Sequence, residues 1–546
     1  MRNHMAFGWF YSPSQIAHYF ATRITSLKPL GSGELKNPYT TLRQLDRHQW
    51  LMFAGGFTAW TWDAFDYFTV SMTMTAIAED FNVSSNSVSW GMTITLMFRS
   101  VGALILWLLL RSLREKMAHG YRFDTFYHPR AGIWILPDLT TISRSSCTIR
   151  HRNLRYEMDL ITTSFLKLTY KSPGLYGPAG ATALEDLPYN ARGILSGLYQ
   201  EGYTVGYFLA AAFYRALAIN TPHGWRSLFW FGAGPPVLII LFRLWLPETN
   251  HFQVMKAERE ARERAMIESG HEVSKFNLRT FLSDVGQAIR PNWFLFVYIA
   301  VVMAGFNGVS HGSEDLYPTF LEHQVGMSAT NETVVTFVGQ VGALLGAMMF
   351  GYLSTFFGRR LTMLVACIFG AAIVPAYVYP RSLALIASCF WEQFFVGAVW
   401  GPIPIHLMEL SPKPIRSLML GLGYQLGNLA SSASATIETT IGSRYPLPPL
   451  ANGTTRYNYG KVIAIFLGAV WAYIFFFILL GPEMSQEERD TEKDEALQLE
   501  QLILQGISPS EITASKEVMA KSRPFHEEDP QAVKETHHKA TVEHVE

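Results

Sequence analysis

The chain has 546 residues, of which 49% are hydrophobic, 14% aromatic and only 16% charged, against about 25% charged in an average soluble domain. Its 44 Lys and Arg balance 44 Asp and Glu, so no basic footprint points to nucleic acid. Cys147, Cys367 and Cys389 lack C-x-x-C spacing, which argues against a zinc or disulfide framework. A G-x-x-x-x-G-K-[ST] loop is missing, which argues against ATP-driven work by this chain. The residues group into no nucleophile, metal or cofactor constellation, so neither an enzyme nor a bound cofactor is expected.

Residues 1–48 read as a polar tail, with no continuous apolar core before Trp50 and hence no expected cleaved signal peptide. Crossing a bilayer takes about 20 apolar residues. Runs of that kind predict spans at 48–77, 89–110, 193–217 and 228–246, within a first membrane half over 49–246. A charged segment over 247–292 contains KAEREARERAMIE, which reads as a solvated helix. The second half, 293–481, holds six spans: 293–321, 332–356, 361–379, 382–410, 415–441 and 461–481. The tail over 482–546 is Lys/Glu-rich and reads as disordered.

The two halves repeat. Gly177, Pro178, Glu185, Pro188, Arg192 and Gly197 recur 224 residues on as Gly401, Pro402, Glu409, Pro412, Arg416 and Gly421. Repeats of this kind mark transporter halves, with substrate bound between them. Arg359, Arg360, Lys413 and Arg416 gather at one set of loops, which the positive-inside rule makes cytoplasmic, with both termini. The N-x-[ST] sites at Asn82, Asn331 and Asn452 fall in the opposite loops, as exterior glycosylation requires. Glu185, Arg192, Glu409 and Arg416 cluster at span ends in both halves and read as gating ion pairs rather than substrate ligands.

One apolar span carries an unusual polar set: Asn307, Ser310, His311, Ser313, Glu314, Asp315 and Thr319. Ionisable residues inside a membrane mark functional sites. His311 and Asp315 are four apart and share a helix face, with Asn307 one turn earlier. That face can grip a small anion and move a proton; the bland alternative is a helix end meeting water. The stretch NGVSHGSEDLYPT resembles the signature N-x-x-[S/T]-H-x-[S/T]-Q-D-x-x-x-T of the fungal lactate/pyruvate:proton symporters, a major facilitator family. The resemblance covers about residues 45–105 and 174–482. It departs at Glu314, where that family has Gln.

The resemblance implies an all-α membrane protein with the major facilitator fold, built from two six-helix halves. Only four spans are legible in the first half. Residues 106–173 contain many Arg and His and no adequate apolar run beyond Leu110. Read one base later with permitted codons, the bases from Arg111 onward give DRYGRKWPMVIDL and then ILFIILELGSG. The bases of 138–152 give TSQQFLAVRALFGIA. The first string restores the loop motif G-x-x-x-D-R-x-G-R-K of major facilitators, whose counterpart here is FGYLSTFFGRR, with Gly358, Arg359 and Arg360. Residues 106–173 therefore read as out of frame or intron-derived, and the third and fourth helices as lost. In the resembling family an Arg within VRALFG binds the carboxylate; in the restored frame it falls at the codon of Ser146.

Other polar residues lie within spans. Asp63 and Asp66, three apart in the first span, either face the cavity in proton coupling or pair with Arg99. Glu392 is either protonatable or packed on a donor. Gln425 and Asn428 match positions of the eleventh span that line the family's substrate path. By resemblance the function is proton-coupled uptake of a short monocarboxylate at the plasma membrane, by a chain expected to be monomeric. The alternatives are a dicarboxylate or sugar-acid transporter on this scaffold, and a non-transporting sensor or pseudogene product.

Sequencing the transcript across codons 100–180 tests the frame argument. Bases that encode DRYGRKWP in a second frame are expected, and bases that cannot do so end the idea.

Overall fold

The molecule is seen in a computed structural model that describes residues 37–82, 176–246 and 290–484, except 413–414, 443 and 450–455, with isolated positions in 20–27, 249–286 and 491–505. The expected second span at 89–110, the frame-shifted segment 106–173, Arg99, Cys147 and Asn452 lie outside the described residues.

After a short helix at Pro38–Arg43, α1 runs over Arg47–Phe81. Its 35 residues contain no proline, and at 1.5 Å per residue they extend for about 52 Å. Next come α2 (Tyr176–Leu184), α3 (Tyr189–Gln200), α4 (Gly202–Phe213), α5 (Trp225–Gly232) and α6 (Pro235–Trp245). After the central segment follow α7 (Trp293–Glu314), α8 (Ala329–Phe357), α9 (Arg359–Val378), α10 (Leu385–Trp400), α11 (Ile403–Leu410), α12 (Arg416–Ser431), α13 (Ser434–Gly442) and α14 (Tyr459–Leu480). Two two-residue strands, β1 (Pro446–Leu447) and β2 (Arg456–Tyr457), pair antiparallel beyond α13, a small addition to the all-α expectation. Residues 248–274 and 491–546 form a separate unit, in which Gln505 N donates to Gln501 O at 3.0 Å.

Three spans expected to be continuous are each two helices. The span at 193–217 divides at Glu201, between α3 and α4. The span at 382–410 divides at Gly401–Pro402, and the one at 415–441 after Ser431. Proline explains the second division, because Pro402 and Pro404 lack the N–H that the helical ladder needs. Ser196, from α3, answers the broken ladder directly. Its Oγ donates to Gly401 O at 2.8 Å and accepts from Ile405 N at 3.1 Å. Helix α2 had no counterpart among the expected spans, although its Gly177-Pro178 repeats the Gly401-Pro402 that precedes α11.

Among the described residues, five helical segments are long and apolar enough to cross a membrane: Trp225–Arg243, Trp293–Val325, Thr330–Phe357, Arg359–Val378 and Tyr459–Leu480. Leu238, Trp245 and Ile465 are exposed, as side chains facing hydrocarbon would be. Inward, small residues let backbones meet. A Cβ on Gly346 of α8 would collide with Phe394 O of α10. Of the repeated glycines, Gly177 and Gly197 join the two halves. A Cβ on Gly177 would lie 2.7 Å from Gly421 Cα, and one on Gly197 or Gly401 would strike the carbonyl of Ala347.

One end of this contact carries a buried ion pair. Arg359 Nη2 donates to Glu409 Oε1 at 2.9 Å, with both side chains almost fully buried. Arg359 Nη1 also reaches Ser354 Oγ at 2.7 Å. Gly358 ends α8 at φ 90°, a conformation that favours glycine. This lets the Arg359 N–H meet Glu483 Oε1 at 2.7 Å, while Arg360 donates to Ile478 O at 2.9 Å and also to Leu479 O. In the first half Arg192 Nε donates to Leu187 O at 3.0 Å, and His48 meets Asp186 at 3.1 Å. Glu185 follows α2 half-buried, and Arg416 is buried at the start of α12.

Gly346→Val is expected to destabilise the protein by about 1–3 kcal/mol, since overpacking a helix crossing costs that much. Thermal unfolding in detergent, compared with the exposed control Ile465→Val, checks it; an unchanged midpoint would mean that α8 and α10 do not pack through Gly346.

Candidate functional site

The site follows from α7. This helix is apolar from Trp293 to Phe306 and then turns polar on one face before ending at Glu314. Beyond it Pro318 and a π-helical turn over Phe320–Val325 lead to Gly326, whose φ of 80° closes the helix. The polar face of α7 borders a small cavity of about 40 Å³, room for a few waters or a molecule of a few non-hydrogen atoms. The lining joins both halves: Tyr67 of α1 and Gln200, Glu201 and Thr204 at the α3–α4 junction face Asn307, Ser310, His311 and Glu314 of α7 and Asn428 of α12.

His311 is the centre of the polar set. Its Nδ1 lies 3.0 Å from Asp315 Oδ2, and Asn428 lines the same cavity. Asn428 Nδ2 donates to Gln425 Oε1 at 3.4 Å. The ring edge of Tyr67 stands beside it, with centroids 6.3 Å apart. Asn307 is buried, and its amide donates to Met303 O at 2.9 Å. Ser310 Oγ accepts from Trp400 Nε1 at 2.8 Å. Glu314 Oε1 accepts from Gln340 Nε2 at 3.2 Å.

The other expected site residues stand off the cavity. Ser313 Oγ donates to Ser310 O at 3.1 Å, and its carbonyl accepts from Tyr377 at 2.7 Å, so it braces the helix. Gln425 supports Asn428 from behind, Asp315 supports His311, and Thr319 lies in the short helix beyond. Asp63 is buried on α1, and Asp66 points at α5, where a Cβ on Gly232 would lie 3.4 Å from its Oδ1; neither lines the cavity. Asn82 ends α1 exposed at φ 52°, and Asn331 sits in the first turn of α8.

Several residues escaped the sequence reading. An aromatic wall seals one side of the cavity. Tyr176 stacks on Tyr424 with centroids 4.2 Å apart, Trp60 meets Tyr176 edge-on at 4.9 Å, and Trp400 lies 6.0 Å from Tyr424. Tyr176 Oη donates to Gln200 Oε1 at 3.2 Å. The adjacent Gln200–Glu201 pair inside an apolar stretch was a visible signal, by the same rule that singled out His311. Glu438 of α13, both of whose oxygens lack a partner among the described residues, lies 3.4 Å from where a Cβ on Gly312 would be. The donor to Glu392 is Trp471, whose Nε1 lies 3.0 Å from Oε1. Among the described residues no cluster of His, Cys, Asp and Glu could hold a metal.

Comparison with known proteins places this architecture. Residues 175–488 match the model of the sugar (and other) transporter family. The chain is 35% identical over 515 residues to a carboxylic acid transporter protein homolog of Saccharomyces cerevisiae, covering 92% of this chain and 80% of that protein. It is 23% identical over 437 residues to the cis,cis-muconate transport protein of Acinetobacter baylyi, covering 78% and 96% respectively. The structure of the major facilitator proton:xylose symporter XylE, 16% identical, superposes with a TM-score of 0.55 over 80% of this chain and 97% of XylE. The chain belongs to the sugar (and other) transporter family and has the major facilitator fold, and is a multi-pass membrane transporter rather than an enzyme.

Proposed function

We propose that this protein is a proton-coupled symporter of short monocarboxylates, of the lactate and pyruvate class, at the plasma membrane with both termini cytoplasmic. One observation carries the reading: His311, 3.0 Å from Asp315, on a small cavity between the two halves. The carboxylic acid and muconate transporters among its relatives support the substrate class. A carboxylate has only acceptor oxygens. Asn428, Asn307 and Trp400 supply the donors nearest the cavity, and His311 supplies positive charge. The restored arginine at the codon of Ser146 adds the bidentate clamp. The anion docks beside the imidazole and Asn428, and Asp315 keeps the ring oriented. The halves then rock about the bound substrate as a monomer.

The small cavity favours a short acid over a sugar acid. The muconate relative keeps a dicarboxylate as the second reading. Labelled lactate and pyruvate, in competition with muconate and a sugar acid, separate the two in cells expressing the frame-restored protein. Lactate or pyruvate uptake, faster at acid external pH and abolished by a protonophore, is the expected result. Uptake that persists after the proton gradient collapses would refute the coupling and leave the substrate class standing.

In a Glu314→Gln background, which restores the residue of the resembling family, His311→Ala should weaken uptake by about tenfold or more, the order of one lost charged hydrogen bond. Asp315→Asn should retain more activity and move the optimum to more acid pH, since the ring loses its charge partner. Initial rates against substrate concentration at several pH values, normalised to surface expression, read both. Wild-type affinity and pH profile in both variants would make this face structural.

A further inference from the structure

Three cations meet at the end of α9 opposite Arg359 and Arg360. The π-helical turn Phe320–Val325 supports two of them. Arg381, just past α9, lays its guanidinium over the Phe320 ring, 5.5 Å from the centroid, and donates to Val378 O at 3.1 Å. Arg456, on β2, donates to Gln324 O. Phe320 and Gln324 are four residues apart, so these two anchor points lie about one helical turn from each other. Lys461, in the first turn of α14, stands 4.6 Å from the centroid of the Tyr445 ring. Its neighbour Gly460 donates to Gln324 Oε1 at 2.8 Å, and a Cβ there would lie 2.9 Å from the Phe320 ring. The buried Gln324 therefore ties the start of α14 and the arginine of β2 to one turn.

Neutral groups hold all three. Among the described residues none of them has a carboxylate partner. Glu322, the one carboxylate of the turn, lies 3.6 Å from His323 instead. Arg456 Nε is buried and lacks a partner among the described residues. Beneath the cations the surface is apolar. α9 and α14 are both long and apolar enough to cross a membrane, and they pack together where Gly370 meets the Trp471 ring. Exposed Tyr379 and Leu383 flank Arg381. Lys461, Ile465, Gly468 and Ala472 are exposed on α14 and share one helix face. A Cβ on Gly468 would meet nothing within 4 Å. This face thus has a cation at its head and an apolar strip, bare of side chain at Gly468, below it.

We propose that Arg381, Arg456 and Lys461 bind a membrane lipid with an anionic phosphate headgroup, whose acyl chain lies along the exposed face of α14. Charge complementarity selects the headgroup. Guanidinium and ammonium groups only donate, and phosphate oxygens only accept. Burial lowers the pKa of Arg381 and the charge of Arg456 lowers it further, a repulsion that an anion held by both relieves. Position selects a lipid over a soluble anion. None of the three cations lines the cavity between the halves, and all three stand above surface that faces hydrocarbon. Lys and Arg are normally depleted at the exterior end of a span, so three of them gathered around one turn are not a default of the topology. Placement in the exterior leaflet rests on the orientation proposed above, whereas the lipid site itself does not.

Native mass spectrometry of the purified full chain in detergent tests it, with phosphatidylinositol as the anionic probe and phosphatidylcholine as the uncharged one. The wild type should retain phosphatidylinositol in preference to phosphatidylcholine. Arg381→Gln and Lys461→Gln should each weaken that binding about fivefold, the order expected for one cation at a lipid surface, and the double variant more. Both leave the bond from Arg456 to Gln324 in place, so weaker binding there is not a lost hairpin; circular dichroism confirms that each variant is folded. Arg226→Gln, which removes a cation paired with Asp80 in the first half, should change nothing. Equal retention of the two lipids, or phosphatidylinositol binding unchanged in the double variant, overturns the proposal. Displacement of phosphatidylinositol by inorganic phosphate or by lactate would make this a site for soluble anions and overturn its assignment to a lipid. No transport is read, so the result is independent of the substrate proposed above.

Discussion

Close approach of backbones at glycine is the constraint on which the rest of this molecule depends. Lipid tails are as apolar as leucine, so helices in a bilayer gain little from burying apolar side chains against one another. Gly346 of α8 meets the backbone of α10, Gly177 meets Gly421, and Gly197 and Gly401 meet Ala347 from opposite halves. These crossings bring α3 and α4 within reach of α7 and α8. Without them Thr204 could not touch Gln340, and the cavity would have only one wall.

The same closeness sets the electrostatics. Every polar group in the bundle must find its partner inside the protein. Arg359 finds Glu409, Glu392 finds Trp471, and Ser310 finds Trp400. Such pairs contribute little net stability, because desolvation offsets most of the attraction. Their value lies in allowing only a few arrangements. His311 likewise finds Asp315, at 3.0 Å.

Much of this was legible in the sequence, for identifiable reasons. In the second half, Trp293–Glu314, Ala329–Phe357, Arg359–Val378 and Tyr459–Leu480 fall on long apolar runs that could be read directly. The His311–Asp315 pair followed from helical spacing alone, and 3.0 Å separates the two. The breaks were less legible. Pro402 was visible, but a single proline does not say whether a helix kinks or divides. At Ser432 and Ala433 there is no proline at all; tertiary packing decides. Helix α2 was missed because nine residues make no membrane-length run, although its Gly177-Pro178 repeats Gly401-Pro402. Ser313 and Gln425 match the family pattern but face helix backbone and Asn428 rather than the cavity, and which way a side chain points is set by neighbouring helices. Thr204 and Gln340, far apart in the chain, gave no hint that α4 and α8 would bring them to 3.3 Å.

Ser196 has a consequence of its own. It stands in the first half, yet its hydroxyl completes the backbone at the division between α10 and α11 in the second. That division is dry only while the two halves touch. If α3 withdraws during a transport cycle, the carbonyl of Gly401 and the N–H of Ile405 lose their shared partner together, in surroundings where an unmet peptide group is costly. Water must then enter at the instant of separation. Parting of the halves and hydration of the gap become one event, and a hydroxyl at position 196 sets how readily it begins.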